Sequence, residues 1–266
     1  METIILFTDT HFGVKNNSIT WLNSQLDFIY NQFIPEIKDI KRSTNDKITL
    51  VHLGDVFDSR STISTMVASR VKEAFKKLRS CVDQFNIIAG NHDYYSPNSN
   101  EIDTLNLLLK DTGANLITKD ILEEGENAFI PWYEWGKPIN DTIKRVFAHT
   151  DIINGPIEYL GKEIYSGHMH IPLLRKKMKL YNIGSCYALN FADSNQDRGY
   201  YIIQGDSLKY VANKQSIKFW RLYNDDIFNT KLTDNISSKD YIEIYIKQSK
   251  MAESLYGERL NIITKI

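Results

Sequence analysis

Apolar positions along the chain fall into two textures. Residues 3–8, TIILFT, form a short β-branched run that predicts a buried strand. Leu22, Leu26, Ile29, Phe33 and Ile37 then recur every three or four positions. That spacing predicts an amphipathic helix over 21–40, with a kink or break at Pro35. KITLVHL at 47–53 reads as a second strand. Residues 64–79 place Val67, Val71, Phe75 and Leu78 on one helical face, and FNIIA at 85–89 reads as a third strand. The order strand, helix, strand, helix, strand predicts an α/β start on a parallel sheet.

Beyond a predicted helix, TLNLLLKDTG, ending at Gly113, short strands dominate: NLIT, NAFIP, RVFAH, EIYSGH, MKLYNIG, GYYII and SLKYV. They predict a second sheet, mixed or antiparallel. Two mixed sheets flanked by helices give a four-layer αββα sandwich of the α/β (α+β) class. The expected division is a body over 1–213 and a reduced, cap-like segment over 214–266. The latter carries one alternating strand, YIEIYIK at 241–247, and a polar, helix-like tail to Ile266.

Composition narrows the function classes. Hydrophobic residues make up 42% of the 266, enough for a sizeable core. Lys plus Arg total 32 against 33 for Asp plus Glu, so no global basic field attracts nucleic acid. Such contact has to come from a local patch or a partner. Cys81 and Cys186 lie far apart and form neither a disulfide framework nor a CxxC site, which fits a reducing cytoplasm. METIILFTDTH is neither a signal peptide nor a membrane span, and no apolar stretch is long enough for a bilayer. A cytoplasmic location, with no membrane contact, is expected.

Polar groups cluster where the predicted strands end. IIAGNHDYYS at 87–96 sets Asn91, His92 and Asp93 directly after an apolar run. By itself that stretch also reads as a simple turn. The other strand ends decide between the two readings. The first strand runs into Asp9 and His11, the second into Asp55 and Asp58, and later ones into His149, His168 and His170. Ligands of open α/β sheets bind beyond the carboxyl ends of the strands. Asp9/His11 and His168/His170 are i, i+2 pairs, which share a side in extended backbone. Mixed nitrogen and oxygen donors suit Mn, Fe, Zn or Co better than Ca or Mg. Five of the six histidines belong to this pattern, and His52, inside a strand, reads as a core residue.

DTH, GDVFD, GNHD, the isolated His149 and GHMH stand in the order seen in calcineurin-like metallophosphoesterases. DTHFGVK, GDVFDSR, IPW at 130–132 and NIGS…DRGYYII at 182–203 further resemble the SbcD-type DNA repair nuclease branch, which includes recombination endonuclease subunits of large phages. The resemblance covers roughly residues 1–213. It implies two divalent metal ions, most naturally Mn2+. Asp9, His11, Asp55 and His170 would hold one, and Asn91, His149 and His168 the second, with Asp55 bridging. It also implies that His92 is a catalytic non-ligand, oriented by the Asp58 carboxylate, and that Asp93 fixes the turn. The implied activity is 3′-to-5′ exonuclease on duplex DNA and endonuclease on single strands or hairpins, in repair, recombination or replication. The implied partners are DNA and an SbcC-like ATPase subunit, and the family pattern allows a homodimer. Thr10 and Phe12 depart from the usual opening motif without removing a ligand. The short region after Lys214 bears on partner binding more than on hydrolysis.

Weaker signals remain two-sided. Lys15 and Arg60 lie near the motif loops and are candidate substrate contacts. Arg175 and Lys176, within RKKMK at 175–179, suit phosphates as well as they suit a solvated hairpin. PWYEWG at 131–136 suits core packing better than base stacking. The rival functions are a superfamily phosphodiesterase or phosphatase on another substrate, and a catalytically silent DNA-tethering subunit.

Overall fold

A computed structural model describes residues 2–156, 158–223, 236–237 and 239–245, with the backbone of 261–265. The chain divides into two compact units, one of Met1–Tyr187 with Arg198–Ser216, the other of Ala188–Asp197 with Ile217–Ile266.

The first unit is built on two six-stranded mixed sheets. Strands β1 (Glu2–Phe7), β2 (Lys47–His52), β3 (Gln84–Ile88) and β6 (Asn115–Ile117) run parallel in that order. β13 (Gly199–Gln204) and β14 (Ser207–Ala212) complete this sheet by antiparallel pairing onto β1. β4 (Tyr94–Ser96) and β5 (Ser99–Asp103) form a separate hairpin after β3. In the second sheet, β8 (Asn127–Ile130), β9 (Arg145–His149), β10 (Glu163–Gly167) and β12 (Leu180–Asn182) are parallel. β7 (Leu122–Glu124) and β11 (Leu173–Arg175) are its antiparallel edges. NLIT, GYYII and SLKYV, expected in the second sheet, therefore belong to the first. Their hydrophobic pattern marks them as strands but does not name a partner.

Alternation sorts the side chains into layers. Ile4, Leu6, Val51 and Leu53 pack against Phe129, Phe147 and Tyr165 between the sheets. The opposite face of the first sheet meets α1 (Ile19–Phe28), α2 (Ile34–Ser43) and α3 (Thr65–Cys81) through an aromatic cluster in which Phe7 lies 5.0 Å from Phe33 and 6.1 Å from Phe85. α4 (Thr104–Leu109) ends in a single turn of tighter helix before Gly113. The outer face of the second sheet is covered by the segments carrying Trp135, Ile139, Ile153 and Tyr159.

Pro35 does not break its helix. α1 passes into α2 through a wider turn, Ile29–Phe33, placed just ahead of the proline. Proline lacks an N–H and clashes with the carbonyl four residues back, and a π-turn absorbs both. Ser18, Ser64 and Asp103 cap α1, α3 and α4 by accepting the backbone N–H of Trp21, Val67 and Asn106.

The second unit holds β15 (Phe219–Tyr223), β16 (Tyr241–Tyr245) and β17 (Asn261–Lys265) in one sheet. β16 matches the expected alternating strand over 241–245; positions 246–247 of that expectation lie outside the described residues. The expected helix-like tail falls partly on 246–260, outside the described residues. Its last part is corrected: Asn261–Lys265 is a strand antiparallel to β16, in keeping with its β-branched residues Ile262, Ile263 and Thr264.

Replacing Phe7 by alanine should remove about 3–5 kcal/mol of stability, since a fully buried ring at the centre of the cluster leaves a cavity. Ile19, which is 62% exposed, should tolerate alanine within about 0.5 kcal/mol. Urea titrations of the two variants check the contrast.

Candidate metal centre and active site

The parallel strands of both sheets deliver their carboxyl ends to one rim. β1 leads to Asp9 and His11, β2 to Asp55, β3 to Asn91 and His92, β9 ends at His149, and β10 leads to His168 and His170. Gly167 at the end of β10 stands in register with His149.

The seven residues expected to be ligands come together. Asp9, His11 and His170 form one group of donors, and Asp55, His149 and His168 a second. In the first, His11 Nε2 lies 3.1 Å from His170 Nε2, 3.8 Å from Asp9 Oδ1 and 3.7 Å from Asp55 Oδ2. In the second, Asn91 Oδ1 lies 3.1 Å from His149 Nε2 and 3.0 Å from His168 Nδ1. Asp55 Oδ2 is also 3.4 Å from His149 Nε2, so one oxygen faces both groups.

The donor set fits divalent cations. Asp9 Oδ2 accepts from the Thr8 hydroxyl and the His168 N–H, whereas Oδ1 is buried with no hydrogen-bond partner. A buried carboxylate oxygen without a donor is costly. Here it points at the Nε2 atoms of His11 and His170, as a metal ligand would. His149 gives its Nδ1 proton to the Leu53 carbonyl at 2.7 Å, which turns Nε2 towards Asn91 and Asp55.

Holding these groups strains the backbone. Asp9 (φ 50), His11 (φ 42), Asp55 (φ 55) and His168 (φ 84) all lie in the left-handed region, at a cost of about 1–3 kcal/mol each. The Asp93 carboxylate offsets part of it by accepting the N–H groups of Gly90, Asp55 and Val56 at 2.9–3.0 Å. Asp93 thus does more than fix its own turn: it ties the loop after β3 to the loop after β2. Two close approaches demand glycine. A Cβ on Gly90 would sit 2.3 Å from Asp55 Oδ1, and one on Gly167 would sit 2.2 Å from Thr8 Oγ1.

Electrostatics follow from burial and crowding. Burial works against charge on His11, but Asp58, Asp9 and Asp55 overcome it and hold the ring's pKa up at about 10. Burial likewise opposes charge on His149, and Asp55 and Asp9 lift it to about 9. Burial and the positive His149 push His168 down. Burial and the charge of Asp55 push Asp93 up to about 7.

His92 lies beside the first group, its ring 5.0 Å from that of His11. Its N–H donates to Asp55 Oδ1, and its Nδ1 donates to the Asp58 carbonyl at 2.6 Å. The expected role of the Asp58 side chain is corrected here. Its carbonyl holds His92, while its carboxylate turns to His11 Nδ1 at 3.5 Å. Arg60 donates to the Tyr94 carbonyl, bracing the β4 hairpin. Lys15 is exposed, with Nζ 5.9 Å from the Trp21 ring. Arg175 ends β11 and Lys176 begins the turn after it, five and six residues beyond His170. His52 is a satisfied core residue, bonded to the Thr10 hydroxyl and the Gly54 N–H.

Two contributors escaped the sequence reading. Thr8 looks like strand interior, yet its hydroxyl fixes Asp9. Trp132, read as packing, does pack, but against the donor histidines: its ring lies 4.9 Å from His168 and 5.9 Å from His149.

Two outcomes are expected. Metal analysis should find two divalent ions per chain, falling to at most one in Asp55→Ala, because Asp55 faces both groups; unchanged stoichiometry would remove it as the bridge. At pH 7.5 the metal-free protein carries protons on His11 and His149, whose folded values lie near 10 and 9. Metal must displace them, so loading should release about two protons and affinity should rise with pH up to that range. Calorimetry in buffers of different ionisation enthalpy counts those protons.

No curated protein matches the chain. Among solved structures, a nuclease MPE from Pseudomonas putida aligns with 13% identity over 78% of this chain and 87% of its own, with a TM-score of 0.38. A conserved uncharacterized protein of Streptococcus pneumoniae, described as a predicted phosphoesterase, aligns with 13% identity over 80% of this chain and 91% of its own, with a TM-score of 0.33. The calcineurin-like phosphoesterase family matches residues 2–248. With a match over nearly its whole length and the donor groups in place, the chain belongs to the calcineurin-like phosphoesterase family.

Proposed function

We propose that the chain is a metal-dependent DNA nuclease of the SbcD-type branch. It would act as a 3′-to-5′ exonuclease on duplex ends and an endonuclease on single-stranded or hairpin DNA, with Mn2+ and an SbcC-like ATPase partner. The DTHFGVK, GDVFDSR, IPW and NIGS…DRGYYII segments support the branch, as does Asp58-Ser59-Arg60, where protein phosphatases of the superfamily carry Asp-Arg-Gly.

The observation that carries a phosphodiester-cleaving reading is the setting of His92. Both its backbone N–H and its Nδ1 are committed to the loop after β2. Nε2 is then the ring nitrogen left for substrate. Divalent ions held by the two donor groups would polarise the phosphate and lower the pKa of a bound water. His92 would donate the proton that the leaving oxygen needs as its bond to phosphorus breaks and a water oxygen takes its place. Asp58 and Asp55 position that ring through the two bonds described.

End-labelled duplex and a small chromogenic phosphodiester, each incubated with Mn2+, test the reading side by side. Cleavage of both supports a DNA nuclease. Turnover of the small ester with intact duplex points to another phosphodiester substrate, and no turnover of either points to a silent tether. In an active parent, His92→Ala should retain both metals while kcat falls by roughly 10²–10⁴-fold, as for loss of a general acid. Collapse of metal content would instead make His92 a ligand.

A further inference from the structure

The strand after GHMH has no role in the site described so far. β11 and the turn Lys176–Met178 form the outer edge of the second sheet and place Arg175, Lys176, Lys177 and Lys179 within five positions. Among the described residues none of the four has a carboxylate partner, in a chain whose formal net charge is only -1. Leu173 and Leu174 are each 37% exposed on the same edge. An unpaired cationic stretch with apolar side chains beside it is not needed by the fold, because the core under β12 is closed by Leu180 and Tyr181.

The stretch is also rigidly joined to the metal centre. Asn182 on β12 donates to the carbonyls of both Met169 and Ile171 at 2.7 Å. The His170 carbonyl accepts from the Ser185 N–H and the Arg198 guanidinium. The chain between His170 and Leu173 is therefore pinned at its start, and the basic edge holds a fixed place relative to the donor groups.

We infer that β11 and its turn are a second contact for a nucleic-acid duplex. Arg175, Lys176, Lys177 and Lys179 neutralise backbone phosphates, while Leu173, which shares a face of β11 with Arg175, lies against the sugar edge. This rests on the proposed DNA substrate and supplies the local patch that the overall charge does not. Basic and apolar side chains together also suit an anionic membrane surface. The fixed attachment to a phosphoester-binding centre favours a polyphosphate chain lying across both.

The test is equilibrium binding of a fluorescent duplex by the full chain, with Ca2+ in place of Mn2+ to restrain cleavage, over a range of salt. The parent is compared with the combined variant Arg175→Gln, Lys176→Gln, Lys177→Gln and Lys179→Gln, its fold checked by circular dichroism and metal content. Each neutralised phosphate adds about 0.9 to the log–log salt slope, so the variant, with four cations removed, should lose about 3.6 from that slope and bind at least tenfold more weakly whatever the sequence. Equal slopes and affinities would overturn the inference. So would a parent that binds phosphatidylserine vesicles through these residues and leaves duplex alone. If the parent cuts duplex while the slopes agree, the nuclease reading stands and this inference falls. If the slope drops as stated but no duplex is cut, the inference stands and the nuclease reading falls.

Discussion

A single oxygen, Oδ2 of Asp55, faces His11 on one side and His149 on the other, and the surrounding structure is arranged around keeping it there. Burial opposes its charge, but the histidines crowding it hold its carboxyl well below the usual range. A carboxylate in that position is tolerable only with positive partners, whether protonated imidazoles or cations. The same need explains why strands from two sheets end together. Each strand end supplies only one or two of the donors, so the full set needs several of them together.

The expense of this convergence appears in the backbone. Four of the ligand candidates adopt left-handed angles that ordinary side chains avoid. The buried Asp93 carboxylate accepts four N–H groups of two different loops, that of Asp55 among them, and so keeps the loops after β2 and β3 from relaxing. Beneath it, His52 and Thr10 connect the loops after β1 and β2 by a chain of hydrogen bonds ending on the Val56 carbonyl. The polar interior is therefore a support for the rim, and the aromatic cluster around Phe7 is the support for the strands.

Much of this was legible in the residues. β1, β2 and β3 and the helices between them follow from periodicity, because each buries one face locally. The donors were legible for a different reason: histidines beside Gly, Asp or Asn at strand ends are not accounted for by hydrophobic periodicity. What periodicity does not carry is pairing between distant segments. Ile202 meets Ile5 across nearly two hundred positions, and nothing in GYYII announces it. The β4 hairpin was missed because Ser99-Asn100-Glu101 is polar throughout, and β15 because FWRLY follows a stretch with no clear alternation. Roles assigned by motif also stop short of atoms. Asp58 was expected to act on His92 through its carboxylate, and a backbone carbonyl does so instead.

The central claim is that the two donor groups form one site sharing an Asp55 oxygen. Electron paramagnetic resonance of the Mn2+-loaded protein tests it most directly, because ions joined through a common ligand couple magnetically and separate ions do not. Titration to two equivalents should convert an isolated six-line signal into a coupled multiline spectrum, and Asp55→Asn should abolish the coupling. Two equivalents bound with only the summed six-line signal, unaffected by Asp55→Asn, would contradict the account.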